Sequence, residues 1–181
     1  LILILPAGIS LAGALGVYRI ISPAWLIATG LVTGAWLLLS VAADRAAGNR
    51  AGGGLLLADG ITRFVIGAGH VYDGAIAFAG TSQTVEAGWL ATKITLFGVL
   101  ILLSIPVRRA GFAVRRETAL LALGPGDAAA AGRLRAALAR LTVPVLGSWL
   151  LILAAAWAGV AKPGVHGRLL HAAMFRAFGL C

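Results

Sequence analysis

The sequence predicts an all-α fold, a polytopic transmembrane helix bundle of about five spans. Three observations predict it. The chain has 181 residues, of which 60% are hydrophobic and 12% charged, and its mean hydropathy is +0.98. Soluble domains are about half apolar and about a quarter charged, so a water-soluble globule of this length could not hide so much apolar surface behind so few charges. Apolar runs of the roughly 20 residues needed to cross a bilayer recur along the chain. The charges between them gather in short connecting stretches.

The first span is Leu1 to Ile21, with Pro6 and several glycines, closed by Tyr18, Arg19 and Ser22-Pro23. It starts inside an apolar run without Met or the basic region of a signal peptide, as a processed or incompletely registered N-terminus would. The alternative is four spans with this segment peripheral. The second span is Ala24 to Ala43, with Trp25 and Trp36, followed by the Gly-rich, charged loop Asp44 to Gly54. The third is Leu55 to Gly80 and the fourth Gly88 to Val107, joined by the polar turn Thr81 to Ala87. Next comes an Arg-rich loop, Arg108 to Thr142, broken at Gly124-Pro125-Gly126-Asp127. Its second piece, Ala128 to Leu141, is Ala-rich and helical, with Leu134, Leu138 and Leu141 on one face. That pattern suits either a basic helix lying on an anionic membrane surface or a solvated loop helix. The fifth span is Val143 to Val160, stopped by Lys162-Pro163-Gly164. Residues 1–164 thus form one transmembrane domain, and 165–181 a C-terminal tail.

The net charge of +9 would suggest nucleic acid in a soluble chain. Here Arg collects in loops, as the positive-inside rule expects, and no RNA-binding motif accompanies it, so nucleic acid is not an expected partner. The Arg-rich loop is expected in the cytoplasm of a bacterial cell, in its inner membrane. The turn Thr81 to Ala87, without Lys or Arg, belongs on the opposite side. The lone Cys181 excludes an internal disulfide framework and leaves a trailing thiol.

The third span carries the most information. At 3.6 residues per turn, Asp59, Arg63, His70 and Asp73 fall at about 0°, 40°, 20° and −40°, one stripe about 80° wide. Turned to lipid, each charge would cost roughly 2.5–3.5 kcal/mol or more near the centre. The stripe therefore points into the bundle, a cavity or a partner. Asp59 and Arg63 have the i, i+4 spacing and order of an ion pair. His70 and Asp73, about a turn apart, could hydrogen-bond. Lys93, about one turn inside the fourth span, either snorkels to the interface or pairs with Asp73 or Glu86. Trp25, Trp89, Trp149 and Tyr72 suit interfacial anchoring.

Three uses of the stripe stay open. Its groups satisfy one another and hold the bundle in register; or His70 ligates a haem b or a metal; or an Asp–His chain conducts protons or ions. The other histidines, His166 and His171, lie in the tail, so no bis-His pair across two spans is evident. There is no Gly-x-Ser-x-Gly, Walker loop, His-Glu-x-x-His or carboxylate dyad to mark an enzyme. Expected partners are the lipid bilayer and other membrane-protein subunits; no cofactor is required, with haem b or copper the alternatives.

Ala58-Asp59 opens a Gly-rich span, and Gly88-Trp89-Leu90-Ala91-Thr92-Lys93 enters the next. Leu96-Phe97 and Leu103-Ser104-Ile105-Pro106 then lead into the Arg-rich loop, and the last span closes on Trp157 and Lys162-Pro163-Gly164. From about Leu55 to Gly164 this resembles the CopD-like (copper-resistance D type) domain and neighbouring small bacterial four-helix inner-membrane families. The resemblance implies copper uptake or delivery; kinship with HemJ-type proteins would imply a histidine-dependent redox role. Copper pathways use Met, Cys and His. The spans supply His70, and the tail supplies His166, His171, Met174 and Cys181.

Overall fold

The computed structural model describes residues 22–46, 52–82, 88–123 and 128–161, with isolated positions 2, 8, 10 and 13 before them. Apart from those isolated positions, the first predicted span, Leu1 to Ile21, lies outside the described residues, as does the tail 165–181. Four helices run in sequence: α1 Pro23–Arg45, α2 Gly52–Phe78, α3 Gly88–Leu123 and α4 Ala128–Ala161. All four are long and apolar enough to cross a membrane, and no strand occurs among the described residues.

Local chemistry sets their ends. Ser22 accepts the Trp25 N–H at 3.2 Å and Pro23 occupies the first turn, where its missing N–H costs nothing. α2 stops at Gly80, whose φ of 72° suits glycine. The Gly80 N–H reaches Ala77 O at 3.1 Å and the Thr81 N–H reaches Ile76 O at 3.1 Å, a Schellman closure.

Each helix packs on its predecessor, and α3 lies between α2 and α4. Small residues let α2 and α3 approach closely. A Cβ built on Gly98 would sit 2.7 Å from Gly67 O and 2.8 Å from Val71 N, both backbone atoms. One built on Gly74 would collide with Thr95. Along α4, Ala130, Ala137 and Ala158 are buried at heptad positions, the period that keeps a seam against a partner helix over a long run.

The structure corrects the reading of Arg108 to Thr142 as a loop. α3 has 36 residues and α4 has 34, or about 54 and 51 Å at 1.5 Å per residue. Both overrun a hydrocarbon core of about 30 Å by some 20 Å. They extend as an antiparallel helical hairpin, and the break expected at Gly124 to Asp127 falls between them, outside the described residues. Pro106 and Pro144 sit inside these helices. Each removes one backbone donor without stopping the helix.

The piece Ala128 to Leu141 is therefore the first half of α4, not a separate helix lying on a membrane. Ala130 and Ala137 are buried and Leu134 and Leu141 half-buried, while Leu138 turns outward. Glu117 of α3 accepts Arg133 Nε of α4 at 2.8 Å across the hairpin.

Candidate functional site: a buried ion-pair network

α2 buries Gly52, Asp59, Arg63, Gly67 and Gly74. Facing its first half, α1 buries Thr33, Trp36, Ser40 and Ala43. These spacings of three and four place the polar groups of both helices on facing stripes. α3 supplies Ser104 and Arg108 from its fifth and sixth turns, where the hairpin overhang begins. The three helices meet around Asp59, which is 1% exposed.

The Asp59 carboxylate is saturated. Oδ1 accepts the Ser40 hydroxyl and, at 3.3 Å, Trp36 Nε1. Oδ2 accepts Arg63 Nε at 2.8 Å and lies 3.1 Å from Arg108 Nε. The Arg108 contact is an ion pair by distance but lacks hydrogen-bond alignment, leaving that N–H without an acceptor. Arg63 spends its other nitrogens on Ser104 Oγ and Ser40 Oγ, both at 3.0 Å, and its guanidinium stacks 5.4 Å from the Trp36 ring centre. Such stacking on a desolvated indole is worth about 2 kcal/mol or more.

Arg108 carries the network outward. Its terminal nitrogen donates to Ser40 O at 2.8 Å and lies 3.2 Å from Asp44 Oδ1. Asp44 also receives Arg115 at 3.4 Å. The result is a ladder, Arg63–Asp59–Arg108–Asp44–Arg115, that runs from the bundle interior to the base of the hairpin. With three guanidiniums and two carboxylates, it carries one formal positive charge in excess. Removing one partner from a buried pair of this kind costs about 3–5 kcal/mol, because the remaining charge stays desolvated.

The four stripe residues thus separate. Asp59 and Arg63 form the i, i+4 pair at the centre of the network. His70 is half-buried; its Nδ1 donates to Ile66 O at 2.8 Å, and its ring lies 6.1 Å from that of Phe97. With Nδ1 committed to Ile66 O, Nε2 is the ring nitrogen left to meet a ligand. Asp73 is exposed and makes no hydrogen bond to His70. The reason is angular: the α3-facing arc is centred near Gly67 and Gly74, about 100–120° round the helix from Asp73.

Lys93 does not pair with Asp73, and Glu86 lies outside the described residues. Lys93 turns instead towards α4, where a Cβ on Gly159 would stand 2.5 Å from its Nζ, and its ammonium lies 5.7 Å from the Trp89 ring. Among the described residues, no group of three or more His, Cys, Asp or Glu is placed to hold a metal ion. His166, His171, Met174 and Cys181 lie outside them.

Sequence reasoning missed Trp36, Ser40, Ser104 and Arg108 as members of the site. A signal was present for two of them: Thr33, Trp36, Ser40 and Asp44 recur at helical spacing through an otherwise apolar span. Hydropathy ends the span at Val107 and so places Arg108 in a loop. No family model, curated protein or solved structure matches the chain.

Proposed function

We propose that the chain is a non-catalytic accessory or structural subunit of a larger assembly, respiratory or photosynthetic, in the bacterial inner membrane. The saturation of Asp59 supports this reading. Its three hydrogen-bond donors come from α1 and α2 and its further ion-pair partner, Arg108, from α3, so the intramembrane charge is spent on locking α1, α2 and α3 together. The outer faces of α1 and α4 support it too. Ile27, Leu31 and Leu38 on α1, with Leu146, Leu150 and Val160 on α4, are all more than half exposed, and lipid or neighbouring subunits would cover them.

The positive-inside rule places the hairpin, with Arg109, Arg115, Arg116, Arg135 and Arg140 exposed, in the cytoplasm. An N-terminal first span would then begin on the cytoplasmic side and make five spans in all. Gentle extraction from native membranes followed by a native gel tests the subunit reading. The expected result is migration in a complex well above the 18.4 kDa of the chain; a lone monomer overturns it. A Gly126→Cys label in a Cys181→Ser background should react only from the cytoplasmic face.

The second reading is a CopD-like copper or ion transporter, or a haem b redox protein, centred on His70. The Nε2 of His70, which the contact with Ile66 does not engage, favours it. The donor set among the described residues does not fit either group, since a haem b commonly takes a second axial ligand and copper several soft ones. A reduced-minus-oxidised haem b band that vanishes in His70→Ala would favour this reading over the first.

A further inference from the structure

The charge ladder uses Arg63, Arg108 and Arg115, whereas Arg109 and Arg140 have no ion-pair or hydrogen-bond partner among the described residues. Both line a single groove of about 350 Å³ between α3 and α4. Its walls are otherwise apolar: Ile105, Pro106, Ala113 and Ala137 among them. Small ligand sites start at about 300 Å³, so the groove has room for part of an acyl chain or a glycerol backbone.

The depth of the groove is informative. The apolar stretch of α3 runs from Gly88 to Val107, and that of α4 begins at Val143. Twenty residues from Gly88 span about 30 Å, the thickness of the hydrocarbon core. Arg109 therefore stands just past the last apolar turn of α3 and Arg140 just before the first of α4, level with the lipid phosphates. On their membrane side the groove is lined by Ile105 and Pro106, at the edge of the hydrocarbon.

We infer that this groove is a binding site for an acidic phospholipid, whose phosphate is held between Arg109 and Arg140 and whose glycerol and upper acyl carbons lie against Ile105 and Pro106, with Ala113 beside the headgroup. The guanidinium fork matches a phosphate geometrically as well as in charge. An acidic protein segment would meet the same two cations, but would have to place polar backbone against the apolar walls at hydrocarbon depth, which is costly. Basic pockets between helices at this level are suited to anionic headgroups. The site is independent of the subunit reading, since it needs neither a partner nor the buried network.

The test uses the full chain in nanodiscs of phosphatidylcholine with a minor fraction of phosphatidylglycerol or cardiolipin, then native mass spectrometry of the lipids retained after gentle detergent release. Wild type is expected to retain the acidic lipid over phosphatidylcholine. The double variant Arg109→Gln/Arg140→Gln is expected to lower that affinity roughly 10- to 30-fold, at about fivefold per charge. Arg116→Gln/Arg135→Gln, removing equal charge elsewhere on the hairpin, is expected to change it less than about threefold. Ala113→Leu keeps both charges and fills the groove, and should also reduce retention. Helical circular dichroism checks that each variant is folded. Equal losses in the two double variants, no preference over phosphatidylcholine, or displacement by millimolar inorganic phosphate would each overturn the proposal; the last would make the groove a free-anion site.

Discussion

The two ends of the bundle hold the same helices together by opposite means. At the hairpin end, α1, α2 and α3 meet through a saturated cluster of charges around Asp59. At the other end, α2 and α3 meet through absence of side chains, with Gly67 and Gly74 against Gly98 and Ala91. Lipid provides no hydrophobic force between helices, so association depends on packing and on polar contacts. One end relies mainly on polar contacts and the other on close backbone approach. The difference teaches where sequence changes will be felt: a charge network is vulnerable to losing one partner, a glycine seam to gaining one carbon.

The comparison can be broken from either side. The largest effect is expected for Asp59→Ala, which leaves Arg63 and Arg108 without their shared carboxylate; destabilisation of about 3–5 kcal/mol should appear as early melting of helical circular dichroism in mild detergent. Next is Gly98→Ala, whose new methyl meets the α2 backbone. A loss of about 1–3 kcal/mol is expected in the same melt, and a wild-type melt would show that the seam can spread at no cost. Ser40→Ala removes one acceptor and one donor from the cluster and should cost about 1–3 kcal/mol. The smallest effect belongs to the rim: Asp44→Asn should cost less than about 1 kcal/mol in its contact with the exposed Arg115, and that part should fade as salt is added. A salt-insensitive loss there would mean the rim is part of the buried lock.

How far these contrasts could be read in advance differs between the two ends. The spans of α1 and α2 were legible because apolar runs and Ser22-Pro23 mark them plainly. Asp59 with Arg63 was legible because an i, i+4 acid–base pair shares a helix face whatever else surrounds it. Arg108 was not, since hydropathy ends a span where charges begin, while a helix ends only where its backbone bonds do. α3 continues past Pro106, and that continuation is what brings Arg108 onto Asp59. Asp73 shared the predicted stripe with His70 but not the buried arc, because the width of the stripe exceeded the width of the contact with α3. Which of the many glycines would sit at a crossing point depended on tertiary register, as the contrast of Gly98 with the open surroundings of Gly69 shows.

The central claim is that the Asp59 network is a structural lock, and removing its charge altogether tests this most directly. Asp59→Leu, Arg63→Met and Arg108→Met should be compared, singly and together, by melting and by native-gel migration of the membrane extract. A lock predicts that Asp59→Leu alone is severely destabilised. It also predicts that the triple variant recovers most of the stability, because buried ion groups are often replaceable by well-packed apolar side chains, and that it still migrates in the large complex. A triple variant that folds as well as wild type yet no longer joins the complex would contradict the account and make the charges themselves the working part of the protein.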